Sequence, residues 1–209
     1  MGWTKENVWW TYTETESTGV YRYGRHELET LGYTIKSVTG DGFGGIRQAF
    51  SGIPYQMCKV HMERLIRLGT TRNPQTEAGR VLLSLALSIH DTDSLTFKRR
   101  YRLYLEKYNH FLNEKTINPD TGRKEWTHHR LRKAGLSVSV HLPYLFVYEN
   151  NQQIPSNTNG LEGHFRHIGH IAGVHCGLSK QHKQKLLDTV MLTSTIAPKP
   201  SSLNKIFDI

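Results

Sequence analysis

Cysteine is nearly absent from this chain. Cys58 and Cys176 are the only two in 209 residues, too few for a disulfide scaffold, so a reducing cytoplasm is the expected setting. No apolar run approaches the roughly 20 residues that cross a bilayer, and no membrane partner is expected. The opening residues Met1 to Glu6 lack a basic-then-apolar signal pattern, and Glu6 spoils a myristoylation match. Internal repeats are missing too. Hydrophobic residues make up 37% and mean hydropathy is −0.53, which fits a soluble protein with one domain and room for an inserted subdomain.

What the chain does have is positive charge. The formal net charge is +9 and the isoelectric point about 9.6, an electrostatic footprint that points to a polyanionic partner. The charge is uneven. Residues 1–55 hold five Lys and Arg against six Asp and Glu, whereas residues 56–209 hold 22 against 12. Phosphate contacts are therefore expected in the later portion.

The pattern of elements is α/β with a helical insertion. Val8 to Thr13 is aromatic and β-branched and reads as a strand. Tyr21 to Leu31 reads as a helix ended by Gly32. Thr34 to Val38 predicts a second strand, with Asp41 just beyond its end among glycines. Ile46 to Phe50 reads as a helical turn, Tyr55 to Cys58 as a short strand, and His61 to Leu68 as a helix. Thr71-Arg72-Asn73-Pro74 breaks this α/β stretch. Helical periodicity then dominates: Ala78, Val81, Leu82, Leu85 and Ile89 share one face, as do Phe97, Tyr101, Tyr104, Leu105, Tyr108 and Leu112. Asn118 to Gly122 is a turn cluster. Trp126 to Ala134 reads as a further basic helix, and Leu142 to Val147 as an apolar segment. The expected organisation is a first core part over 1–70, a helical insertion over 71–153, a core helix region over 154–196 and a loose tail over 197–209.

Several residues stand out chemically. Asp41 follows a strand, and Glu162 lies early in a helix that Ser156 or Asn157 is placed to cap. An Asp-Gly turn and a first-turn helix acid are the ordinary readings of these two. Cys58 and His61 have C-x2-H spacing, and with His175 and Cys176 they offer four zinc-type donors, although the second pair is adjacent rather than spaced. Lys98, Arg99, Arg100 and Arg102, and the later Arg130, Arg132 and Lys133, are candidates for phosphate contact or for a solvated helix face. Trp126 has the ring to stack on an unpaired base, or to be buried in the insertion. On the Glu162 helix, His164 and His167 are expected to face DNA, and Phe165, Ile168 and Ile171 to pack inward.

Taken in order, these stretches resemble the DDE transposases of bacterial insertion sequences, in the group allied to the Mutator-like (MULE) transposases. Gly32 to Gly42 resembles the strand leading to that family's second catalytic Asp, Gln56 to His61 its Cys-x2-His signature, and Ile154 to Gly163 the segment with its catalytic Glu. His175 to Ser179 is similar to the end of that segment. The resemblance implies a ribonuclease H-like core in which Asp41 and Glu162 are catalytic, metal-binding carboxylates, supported by Cys58 and His61. It implies two Mg²⁺ (Mn²⁺ as a substitute) rather than zinc, with DNA ends and target as partners, a homo-oligomer at full length and a bacterial, nucleoid-associated location.

One departure matters. The family's first Asp lies on an earlier strand, and no Asp precedes Val8. The expectation is therefore a chain that begins inside a longer coding sequence, with the first strands of its sheet missing and catalysis absent. The readings from other classes are a non-catalytic DNA-binding remnant that competes with intact transposase, and a zinc-stabilised interaction module.

Overall fold

The structure is a computed structural model that describes residues 6–193. The elements run in the order α1 (Thr18–Thr30), β1 (Val38–Gly40), α2 (Gly44–Ala49), β2 (Tyr55–Met57), α3 (Lys59–Thr70), α4 (Glu77–Ser88), α5 (Ser94–Leu112), β3 (Lys115–Ile117), β4 (Lys124–Trp126), α6 (His129–His141), α7 (Asn159–Val174) and α8 (Lys180–Thr193). The fold is mixed α/β and mostly helical. Its sheets are small: among the described residues there are two, each of two strands. The chain divides into a central unit, residues 35–157, and a terminal unit, residues 1–34 with 158–209. The loose tail expected from 197 lies outside the described residues.

In the central unit β1 and β2 pair in parallel, Val38 opposite Tyr55 and Gly40 opposite Met57. The strand expected over Thr34–Val38 is thus displaced toward Asp41. Pro54 sets the limit: it precedes Tyr55 and has no N–H, so pairing opens with Val38 N–H on the Pro54 carbonyl at 2.9 Å. All three β2 residues are buried. Gln56 is fully buried yet satisfied. Its amide donates to the Met57 and Leu145 carbonyls (2.6 and 2.8 Å), and its carbonyl accepts from Tyr148 N–H at 2.9 Å. Those bonds tie the apolar segment, which forms short 3-10 turns at Leu142–Tyr144 and Val147–Glu149, to the strand.

Helices complete this unit. Thr76 caps α4 by accepting from Gly79 N–H, and Asp93 caps α5 by accepting from Thr96 N–H. Phe97, Tyr101, Tyr104, Tyr108 and Leu112 form the buried stripe of α5, while Leu105 falls outside it and is exposed. Phe97 packs on Phe146 with ring centroids 5.4 Å apart. At α3 and α6 the backbones approach so closely that a Cβ on Gly69 would lie 2.5 Å from the Ala134 Cβ. The β3–β4 hairpin is antiparallel and largely exposed. Its turn cluster was legible, its strands were not.

The terminal unit is built differently. Helix α1 ends as expected, with Gly32 N–H on Glu29 O and Tyr33 N–H on Leu28 O, both at 3.0 Å, the paired bonds of a Schellman cap. Val8 to Thr13 forms no strand; its aromatic residues pack on helices instead. Trp9 lies against Gly24, where a Cβ would meet the indole at 2.7 Å, and edge-on to Tyr23. Trp10 Nε1 and the Tyr12 hydroxyl both donate to Asp188 on α8, at 3.0 and 2.9 Å. Asn7 reaches the Met191 carbonyl and His164 Nε2, each at 2.9 Å. β-propensity records a residue type that suits a half-buried surface, and here a helix surface provides it.

Candidate functional site

Asp41 stands one residue past β1, and its Oδ1 accepts the Phe43 N–H at 3.0 Å. This Asx turn keeps the carboxylate at the carboxyl end of the strand pair. Gly42 makes the turn possible, with φ at +104° and no room for a Cβ, which would lie 2.9 Å from His141 Nε2 and 3.0 Å from Met57 Sδ. The Gly42 N–H donates to the Tyr55 hydroxyl at 3.0 Å. Burial pushes that phenol up to about 12, with the Asp41 charge adding to the effect and the Gly42 N–H and Arg47 opposing it. Tyr55 is therefore a neutral hydroxyl beside Asp41 across the physiological range. Arg47, on α2, lies over the Tyr144 ring at 4.6 Å.

Cys58 follows β2 as Asp41 follows β1. Its N–H donates to Gly40 O at 2.7 Å, its side chain is fully buried, and it is the N-cap residue of α3. His61 lies on the first turn of that helix and is half-buried. The segment before Glu162 arrives at the same place: Thr39 donates to the Pro155 carbonyl at 3.0 Å, and Lys59 N–H to the Ser156 carbonyl at 3.0 Å. Lys59 is buried. Its Nζ donates to the Tyr148 hydroxyl at 2.6 Å and lies 4.5 Å from that ring's centroid. Three stretches that are far apart in sequence thus meet at the carboxyl edge of a parallel strand pair, where α/β folds gather their ligands.

Glu162 lies in the first turn of α7, six residues beyond Ser156. The helix starts later than expected: Thr158 is the N-cap residue and makes no side-chain cap bond, while Ser156 is engaged through its carbonyl with Lys59. Glu162 belongs to the terminal unit and Asp41 to the central one. Among the described residues no three His, Cys, Asp or Glu side chains stand together as a group able to hold a metal. His175 and Cys176, the second half of the zinc-type set, are exposed residues of the terminal unit.

The basic candidates fare unequally. Lys98, Arg99, Arg100 and Arg102 are all exposed on α5, outside its tyrosine stripe, with Arg102 paired to Glu106 at 3.5 Å. Lys133 is exposed on α6. Arg130 donates to the Leu68 carbonyl at 2.8 Å, so it closes the end of α3 as well as carrying charge. Arg132 is engaged with Asn113. Trp126 is covered by its own chain, Lys115 Nζ lying 4.2 Å and Arg132 Cζ 4.0 Å from its ring. These cation–π contacts tie the hairpin to α6. His164 turns inward to Asn7, against expectation, and burial followed by the nearby His167 holds its imidazole below the usual range. His167 stays exposed. Phe165, expected inside, is exposed, whereas Ile168 is buried.

No family model, curated protein or solved structure matches this chain.

Sequence reasoning missed His141, Tyr55 and Arg47 around Asp41, and Lys59 at the start of α3. His141 Nδ1 faces the Ser137 carbonyl at 2.8 Å, and Nε2 faces the Gly42 carbonyl at 3.3 Å. His141, Tyr55 and Arg47 belong to no spaced motif, and Lys59 fills one of the two unspecified positions between Cys58 and His61. Only the strand-end position of Tyr55, next to the C-x2-H signature, carried a signal.

Proposed function

We propose that this chain is a DNA-binding domain of the DDE transposase type, ribonuclease H-like in architecture and catalytically incomplete within its described residues. The observation that carries this reading is the convergence at the β1/β2 edge. Asp41, the Cys58–His61 pair and the segment leading to Glu162 are the stretches that resemble the family, and Gly40, Thr39 and Lys59 bond them together. The exposed cations of α5 and α6 supply what a phosphate backbone requires. Lys98, Arg99, Arg102 and Lys133 would neutralise phosphates and release counterions, while Asp41 and Glu162 would be two of the acids of the cleavage site.

Two measurements on the full chain test this. Fluorescence anisotropy with a 30-base-pair duplex in EDTA should show binding that weakens steeply with salt. A slope of log K against log [salt] near −4 is expected if about four or five phosphates are neutralised. No binding at 50 mM salt would sink the proposal. Supercoiled plasmid incubated with Mn²⁺ should remain intact. Nicking that disappears in Glu162→Gln would instead make the chain a complete nuclease.

A further inference from the structure

One cavity of the central unit does not include Asp41 in its lining. It is a groove of about 490 Å³ between α4 and α5, a volume typical of small-molecule sites. One wall is Ser84, Leu85 and Ser88; the other is Arg100, Leu103, Tyr104 and Lys107. No Asp or Glu lines it. Arg100 and Lys107 are seven residues apart on one helix, about 10 Å along its axis. Among the described residues Arg100 donates one N–H, to Thr92 at 3.3 Å, and its guanidinium has five to give. Lys107 is partly committed, since it also holds Glu77 at the rim at 2.8 Å.

The decisive feature is Tyr104. Its side chain is only 3% exposed, its ring is held between Tyr101 and Tyr108, and its hydroxyl has no hydrogen-bond partner. Burial, with its tyrosine neighbours, pushes this phenol upward, so it remains a donor at any working pH. A buried donor left unsatisfied costs stability, and such a group in a folded protein calls for an explanation. A ligand that accepts from it is one.

We propose that the α4/α5 groove binds a nucleoside phosphate, its phosphate on Arg100 and its base against Leu103, with the Tyr104 hydroxyl donating to the base. The charge at the groove's ends suits a phosphate, the apolar stretch between them suits a flat ring, and Ser84 and Ser88 add hydroxyls along the facing wall. The source is either a free nucleotide or an unpaired nucleotide of a strand; both carry the same chemistry. The site needs neither Asp41 nor Glu162.

Isothermal titration calorimetry on the full chain in EDTA tests it, with dAMP, deoxyadenosine, inorganic phosphate and a single-stranded octamer as probes. dAMP is expected to bind at least tenfold more tightly than deoxyadenosine or phosphate. Arg100→Gln should weaken dAMP about tenfold, and Tyr104→Phe, which keeps the ring, about fivefold. Leu103→Glu places a carboxylate on an exposed wall position and should abolish binding with the helix content unchanged. An octamer that displaces dAMP identifies a strand as the source, and one that does not identifies the free nucleotide. Absence of saturable dAMP binding, equal binding of all three small probes, or dAMP affinity unchanged in the three variants overturns the proposal. Because dAMP binding in EDTA should persist in Asp41→Asn, failure here is separable from failure of the plasmid and duplex experiments.

Discussion

The two units reach order by different means. The central unit, residues 35–157, holds 18 Lys and Arg against 10 Asp and Glu; the terminal unit holds 9 against 8. Among the described residues nearly all the buried apolar side chains are central, from Met57 and Met62 through Leu82 and Phe97 to Leu145. In the terminal unit Ile168 and Met191 are buried, while Phe165, Val174 and Leu192 are exposed. A well-filled core leaves the central surface free to carry excess charge. With so little apolar burial, the terminal unit depends on polar ties such as Trp10 and Tyr12 to Asp188. Stability in one is a matter of packing, and in the other of hydrogen bonds and one aromatic segment.

The sharpest break of that contrast is Phe97→Ala. Emptying this fully buried site should cost about 3–5 kcal/mol and lower Tm by roughly 10 °C or more, read by differential scanning calorimetry. A shift under 2 °C would mean the central core is not what holds its unit together. The terminal counterpart is Asp188→Ala, which strips Trp10 and Tyr12 of their acceptor. A loss of about 1–3 kcal/mol is expected, visible as faster amide exchange in α8 but not in α5. Unchanged exchange in α8 would show that the N-terminal segment is not a structural tie.

A smaller effect separates two neighbouring cations. Lys133→Ala should reduce the salt slope of DNA binding by about 1 and leave Tm alone. Arg130→Ala should reduce the slope and also lower Tm by a degree or two, because the Leu68 carbonyl loses its donor. Identical behaviour of the pair would contradict the double role of Arg130. The smallest effect is pH. His164 is held neutral by burial, so the unfolded chain takes up its proton first as pH falls below the ordinary imidazole value. The terminal unit's stability should be full above about pH 7 and decline toward pH 5, by a few degrees of melting temperature at most. His164→Gln should flatten that profile; a wild-type profile already flat would refute the assignment.

Much of the helical architecture was legible because it is periodic. The buried stripe of α5 is nearly the one its sequence spacing predicts, and Gly32 marks the end of α1 where the sequence places it. Legibility failed where a pattern fits two partners. Val8 to Thr13 has strand composition, yet a glycine gap on α1 and a carboxylate on α8 receive its indoles, and neither is visible locally. The β3–β4 hairpin is too short and too exposed to have a hydrophobic alternation. Around Asp41, the carboxylate and its cysteine neighbour could be picked out by position, but His141, Arg47 and Tyr144 come together only through tertiary packing.

Lys59 adds a consequence of its own. Its amine is enclosed by Phe146 and Tyr148 while Lys98 and Lys133 stand in water. An acylating reagent should mark the surface lysines at once and reach Lys59 only when the central unit breathes. The time course of modification at this one residue, followed by mass spectrometry, would serve as a built-in clock for how often the edge beside Asp41 comes open.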